Sequence, residues 1–255
     1  MICALAIGRK GSSGFPKKNV LNILGRPLAA YPLIAASESK YVDQVFLSTD
    51  CDVLKSIGTE YGAAHIERPP ELASNKALGE DAFVHGYERI KSMIDSSKKI
   101  EFLVLLMCNA PTINGKLIDE GIEKLRSDET ADSAVSVSPY NMWSPIRARK
   151  LDKDGSLQPF VPFKSFIDQS KISCDRDSQG DVFFADMGVS VVRPHCLDDL
   201  ASGLLPQKWM GQRILPIHNW GGLDIDHPWQ VGMLEFWLRE HDFKYAGMTE
   251  RTPKV

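Results

Sequence analysis

Six consecutive residues, Phe102-Leu-Val-Leu-Leu-Met107, are apolar without interruption. Side chains alternate between the two faces of an extended strand, so this run needs cover on both sides. That is the position of a central strand in a parallel sheet. Ile2–Ile7, residues 44–48 and residues 133–137 read as further strands. Between them lie amphipathic helical patterns. Residues 80–94 put Phe83, Tyr87, Ile90 and Ile94 on one face, and residues 116–126 turn Leu117, Ile118, Gly121, Ile122 and Leu125 inward. Strand–helix alternation predicts an α/β fold, a doubly wound and mostly parallel sheet covered on both sides. A length of 255 residues fits one such domain, 1–255.

The pattern changes near Tyr140. Residues 141–181 are rich in charge, proline and aromatics and short of helical periodicity. They are expected to form an inserted arm, 141–187 at its widest, with Asp152-Lys-Asp-Gly155 as a turn. A strand is expected to return at 189–192. A last helix is expected from near Pro228, with Trp229, Met233 and Trp237 at i, i+4 and i+8, followed by a polar tail, 244–255, that frays.

A net charge of −3 gives no sign of a nucleic-acid or anionic-membrane partner. No apolar run approaches the ~18 residues of a membrane helix. The apolar N-terminus is stopped by Arg9 and Lys10 and lacks a preceding basic region, so it reads as a first core strand rather than a signal peptide. Five scattered cysteines without a C-x-x-C pair fit reduced thiols in a cytoplasmic protein, with neither a disulfide framework nor a zinc site.

The first strand runs straight into Gly8-Arg-Lys-Gly-Ser-Ser-Gly-Phe-Pro-Lys-Lys-Asn19. In open α/β sheets, ligands bind beyond the carboxyl ends of the strands. Gly8, Gly11 and Gly14 let the backbone fold around an anion, and Arg9, Lys10, Lys17 and Lys18 bring four cations within ten residues. This suits a triphosphate. The loop is neither a Walker loop nor a dinucleotide fingerprint, because its spacing is G-x-x-G-x-x-G. The bland alternative is a solvated basic turn.

At this loop the sequence resembles the acylneuraminate cytidylyltransferases, the CMP-sialic acid synthetase family. Their signature is a first strand followed by A-R-x-x-S-K-G-x-P-x-K-N, with which Arg9, Ser12, Gly14, Pro16, Lys18 and Asn19 are in step. Gly25-Arg-Pro-Leu is similar to the family's G-x-P-L, Val45-Phe-Leu-Ser-Thr-Asp50 to V-x-x-S-T-D, Arg68-Pro-Pro-Glu-Leu-Ala73 to R-P-x-E-L-A, and Leu223-Asp-Ile-Asp226 to I-D-I-D. The resemblance implies transfer of CMP from CTP to an acidic sugar, with Mg²⁺ as cofactor and pyrophosphate released. It implies that Lys18 and Arg9 act catalytically on the phosphates. The nucleotide would be held by Ala6, Gly8, Arg9, Gly11, Ser12, Gly14, Lys18, Asn19, Arg68 and Ala77. It also implies a homodimer, with the arm reaching over the partner's site.

Asp224 and Asp226 are two apart, so in an extended segment both carboxylates share one face, opposite Ile225. Mg²⁺ takes one or two carboxylates plus phosphate oxygens, which suits this pair. Asp226 also precedes His227 and Pro228, where it would serve as a helix cap.

The acceptor half departs from the family. L-Q-P-T-S-P-L-R becomes Leu106-Met-Cys-Asn-Ala-Pro-Thr-Ile113, so Met107 replaces the glutamine that faces the sugar. Asn109 stands where the related Kdo cytidylyltransferases carry a metal-binding aspartate. R-x-N-G-A-I-Y becomes Ala185-Asp-Met-Gly-Val-Ser-Val191. Asn109, Arg147 and Arg176 are the candidates for holding an acidic acceptor, since a guanidinium fork suits a carboxylate or phosphonate. A solvated arm or a dimer contact is the alternative for the two arginines. His85, His195, Cys108 and the tryptophans have no motif partners and read as structural. Three other functions stay open: a small phosphonate as acceptor, a nucleotide other than CTP, and a non-catalytic nucleotide-binding protein.

Overall fold

The computed structural model describes residues 1–11, 14–74, 76–166 and 168–241. The polar tail expected at 244–255 lies outside them. Seven strands form the main sheet: β1 (Ile2–Ile7), β2 (Gln44–Thr49), β3 (Ala64–Glu67), β4 (Phe102–Met107), β5 (Ser133–Pro139), β6 (Phe183–Val192) and β7 (Ile214–His218). Their order is β7-β5-β6-β4-β1-β2-β3, which puts β4 in the middle. All neighbours are parallel except where β6 pairs antiparallel with β4 and β5.

Among the described residues, five helices are nine residues or longer: α1 (Ala30–Glu38), α2 (Asp52–Glu60), α3 (Gly79–Met93), α4 (Gly115–Ser127) and α5 (Gln230–Glu240). The period-2 pattern divides the core. Ile2, Ala4, Ala6, Val104 and Leu106 pack on one face with α1, α2 and α4, and Cys3, Leu5, Leu103 and Leu105 pack on the other with α3. Helix α4 starts where Asn114 accepts a hydrogen bond from Leu117 N at 3.1 Å, and ends with Lys124 and Arg126 in its last turn. Both features suit the orphan groups and dipole of a helix.

Two strands escaped the sequence pattern. Both β3 and β7 are edge strands with one open side, so neither needs an apolar run. Pro216 in β7 is tolerated for the same reason. The face expected for the last helix is also corrected. Trp229 and Met233 are exposed, and Leu234, Trp237 and Leu238 point inward. Apolar residues surround this helix, so spacing alone does not select a face.

The arm contains a hairpin, Arg149–Leu151 paired with Leu157–Pro159. Its turn is the expected one: Gly155 N donates to Asp152 O at 3.0 Å and Gly155 takes φ +82°. Residues 183–187, counted with the arm, belong to β6. The strand begins at Phe183, and a bulge between Ala185 and Ser190 breaks its apolar pattern. Among the described residues, no helix is long and apolar enough to cross a membrane.

Candidate functional site

The chain starts at β1 inside the sheet, steps outward through β2 to the edge strand β3, then returns to the other side of β1 as β4. Beyond the carboxyl ends of β1 and β4 this reversal leaves a crevice. Gly8 leads into it. Its N–H donates to Ser48 O at 3.1 Å, and a Cβ there would meet Cys108 Sγ at 2.7 Å and Leu54 at 3.0 Å. Only glycine lets the loop leave β1 at this point.

The crevice is a cleft of about 490 Å³. Gly8, Arg9, Gly11, Gly14, Lys18 and Asn19 line it from the loop, Arg68, Ala77, Leu78 and Gly79 from the facing segment, and Met107, Asn109, Asp226 and His227 from its end. Residues far apart in sequence therefore converge as the motifs suggested. Ala6 does not line the cleft. It is fully buried within β1, where its neighbours are Leu47 and Leu106. Ser12 lies outside the described residues.

Lys18 sits in a tight turn, Lys18–Val20, that follows Lys17 at φ 63°. Its ammonium pairs with the Asp226 carboxylate. Arg9 Nη1 reaches across the cleft to Ser74 O at 2.8 Å and Ala73 O at 3.3 Å. Arg68 is buried, and it donates from Nη2 to Ser48 O at 2.6 Å and from Nε to Ser48 Oγ at 3.3 Å. Burial pulls its pKa down, yet a guanidinium stays charged at neutral pH. Among the described residues its hydrogen-bond partners are neutral oxygens, so positive charge is left to face the cleft. The Asn19 side-chain oxygen is buried without a hydrogen-bond partner among the described residues.

Asp224 and Asp226 flank Ile225, which is fully buried. Asn109 Nδ2 donates to Asp224 Oδ2 at 3.3 Å, and Ile225 N donates to Asn109 O at 2.7 Å. Burial, and next the neighbouring Asp226 charge, push the Asp224 carboxyl above the usual carboxylate range. Asp226 lines the cleft, whereas Asp224 does not and reaches it only through its bond from Asn109; two hard oxygen donors that repel each other this near the cleft fit a divalent cation. Asp226 does not take the expected capping role, because α5 begins only after Trp229 and has no side-chain cap. Gln230 Oε1 accepts from Asp226 N at 2.7 Å and from His227 N at 2.6 Å, leaving the Asp226 carboxylate to Lys18.

Among the described side chains, Arg147 does not enter this cleft. Arg147 Nε donates to Gln179 at 3.2 Å within the arm. Arg176 is described by its backbone alone, in the turn Arg176–Gln179. Arm residues are placed by tertiary contacts that charge patterning does not encode. Met107 lines the cleft as its place in the sugar-facing motif implied, whereas His227 is a cleft residue that no motif picks out. Trp229, exposed beside the mouth, stacks on His227 with ring centroids 6.5 Å apart. The position of His227 directly after Asp226 was the one available signal.

Cys108 is fully buried, with its thiol pushed up to about 12, which fits its structural reading. His195 is corrected in part. Its Nε2 lies 2.8 Å from Asp132 Oδ1, and with Cys196 the three ligand atoms fall within 4.8 Å of one another. Asp132 Oδ2 already accepts from Gln212 N and Arg213 N, and the Cys196 thiol is pushed up to about 12 by burial. This is a structural knot at the amino-terminal end of β5, away from the cleft.

A family model described as cytidylyltransferase matches residues 4–152, more than half of the chain. The chain belongs to the cytidylyltransferase family. Its relatives include an N-acylneuraminate cytidylyltransferase of Escherichia coli, 32% identical over 159 residues, which are 62% of this chain and 36% of that protein. A Helicobacter pylori protein, pseudaminic acid cytidylyltransferase and UDP-2,4-diacetamido-2,4,6-trideoxy-beta-L-altropyranose hydrolase, is 25% identical over 150 residues, 58% of this chain and 28% of that one. The chain thus spans about a third of the length of these relatives. The resemblance to acylneuraminate cytidylyltransferases is borne out.

Solved structures agree on the fold. CMP:2-keto-3-deoxy-manno-octonic acid synthetase complexed with CTP superposes with a TM-score of 0.65 at 14% identity, covering 94% of this chain and 99% of that one. The 4-diphosphocytidyl-2C-methyl-D-erythritol synthase of Anaerococcus prevotii gives 0.61 at 13%, covering 93% and 96%. Cytidylyltransferases of different acceptors therefore share this sheet, and the acceptor must be argued from the site.

Proposed function

We propose that this chain transfers CMP from CTP to the hydroxyl of an acidic sugar, a nonulosonic or ulosonic acid, and releases pyrophosphate. One observation carries the reading: a single cleft at the sheet's switch point joins the glycine-rich basic loop, buried Arg68, Asn109 and Asp226, and Asn109 in turn holds the Asp224 carboxylate. The relatives' named acceptors, neuraminic and pseudaminic acids, support the acidic sugar class.

The reaction is an in-line displacement. The acceptor hydroxyl oxygen bonds to the α-phosphorus, its proton passes to solvent water, and the bond to the pyrophosphate oxygen breaks. Such a transfer calls mostly for positioning and for charge placed where negative charge develops. Arg9 and Lys18 face the triphosphate from the loop, and the backbone around Gly8, Gly11 and Gly14 lets it come close. Arg68 adds positive charge that is already desolvated. The unpartnered Asn19 oxygen suits a donor on the nucleotide, such as a ribose hydroxyl. Asp224 and Asp226 would hold Mg²⁺, which when bound neutralises charge on phosphate oxygens. Lys18 keeps Asp226 aimed at the same place.

The test is pyrophosphate release with CTP, Mg²⁺ and a panel of sialic acids, other nonulosonates, Kdo and small phosphonates. Turnover with an acid sugar, lost in Lys18→Ala, is expected. Activity confined to phosphonates would replace the acceptor class, and nucleotide binding without turnover on any acceptor would sink the enzymatic reading.

A further inference from the structure

Asp224 and Asp226 sit on a segment without regular secondary structure, 219–226, yet a shared cation requires of them a defined geometry. What holds that segment is a buried polar bracket centred on Asp186. Strand β6 pairs with β5 from Phe183↔Pro139 to Ala185↔Val137 and resumes only at Ser190↔Val135. The bulge between these points contains Asp186, Met187 at φ 61°, and Gly188. A left-handed methionine is unfavourable, and bulges of this kind re-aim side chains near functional sites.

The re-aimed side chain is that of Asp186, which is 5% exposed. It accepts hydrogen bonds from Ser136 Oγ, from Ser138 Oγ at 2.8 Å, from Asn219 Nδ2 at 3.0 Å and from Gly188 N at 3.1 Å. Among the described residues no cationic side chain forms a salt bridge with it. A buried carboxylate satisfied by neutral donors alone is costly to keep. Its donors lead onward to the aspartate segment. Ser138 Oγ also accepts from Gly222 N at 3.0 Å, and Asn219 Nδ2 also donates to Thr112 O at 3.0 Å. Thr112 Oγ1 accepts from Leu223 N at 2.9 Å and lies 3.2 Å from Leu223 O, while Tyr140 OH donates to Gly222 O at 2.8 Å. A Cβ on Gly222 would run into the Asp186 carboxylate. The backbone is therefore clamped up to the residue before Asp224.

We infer that Asp186 is a positioning residue for the Asp224–Asp226 cation site, acting through Ser138, Asn219 and Gly222. The inference rests on the proposed metal site. The rival is a bracket that only stabilises the fold.

The test uses the full-length protein with Asp186→Asn, which offers an amide N–H where two donors point, and Ser138→Ala, which removes the hydroxyl that joins Asp186 to Gly222. Mn²⁺ is the probe, titrated by electron paramagnetic resonance. Thermal melting reports folding, and amide exchange reports the segment. We expect both variants to fold, with Mn²⁺ affinity and Mg²⁺ half-saturation of turnover weakened about 10–100-fold. Exchange should rise at residues 220–226, and excess Mg²⁺ should restore turnover while the CTP KM stays within about twofold of wild type. Should Asp186→Asn fail to fold, Ser138→Ala decides alone. A folded Ser138→Ala protein with wild-type Mn²⁺ affinity and wild-type exchange would overturn the role. The metal site has its own control: Asp224→Asn must abolish Mn²⁺ binding, and its failure to do so would remove the metal site and this role together.

Discussion

Lys18 is 9% exposed, whereas the side chain of its partner Asp226 is 54% exposed. Solvent at the aspartate screens the pair, so it contributes no more than about 1 kcal/mol to stability. Its worth lies in the cleft, where a desolvated ammonium faces developing phosphate charge. Lys18→Met is therefore expected to lower kcat by about 10²–10³-fold with little change in melting temperature. A parallel fall in melting temperature would assign Lys18 to the fold instead. At the same scale, buried Cys108, with its thiol near 12, should resist alkylation in the native protein, while exposed Cys174 reacts. Peptide mapping after brief treatment with iodoacetamide checks this. Gly8, Lys18 and Arg68 were legible because each belongs to a short local pattern. The reach of Arg9 to Ser74 and the hydrogen bond from Ser138 to Asp186 join segments 65 and 48 residues apart, a closeness that no local pattern encodes.

Among the elements, β4 was the most legible, since a strand covered on both faces must be apolar throughout. Leu106 is fully buried within it, so Leu106→Ala should cost about 2–5 kcal/mol, read as a lower urea midpoint with an unchanged slope. The edge strands β3 and β7 were missed because one side of each is open, and the arm boundary slipped because a bulge interrupts β6. Just before β4, Glu101 accepts from Arg126 Nε and Nη2 at 2.8 and 2.9 Å, tying the strand to α4. These bonds hold the Glu101 carboxyl below its ordinary value of 4.5. A depressed carboxyl adds stability above its unfolded pKa and loses it as pH falls through the folded pKa. The stability gap between wild type and Glu101→Gln should therefore be present at pH 7 and close as pH drops below about 4.5. Both partners are more than a third exposed, so the gap is small. A gap that widened in acid, measured by urea melts across pH, would contradict this assignment.

For the molecule as a whole, doubly wound topology dictates where a ligand cleft can lie, and the inserted arm is the part that topology leaves free. Its exposure is unusual. Met142, Trp143, Leu151, Leu157 and Phe160 are each at least 60% exposed. A folded domain rarely leaves large apolar side chains clustered and open to water without a surface to meet. A second copy of the chain is the expected surface, and a stable interface buries at least about 1,000 Å². Light scattering should accordingly give twice the 28.4 kDa chain mass. Trp143→Glu combined with Phe160→Glu should shift the mass to that of one chain without lowering the helix content seen by circular dichroism. Arg147 sits among these residues and outside the cleft of its own chain, so dimerisation is also the route by which it would approach a sugar. If so, the monomeric double variant should keep its CTP affinity and lose acceptor affinity. A wild-type protein of single-chain mass would remove both expectations, leaving the acceptor to be held by the residues around Met107, Asn109 and His227.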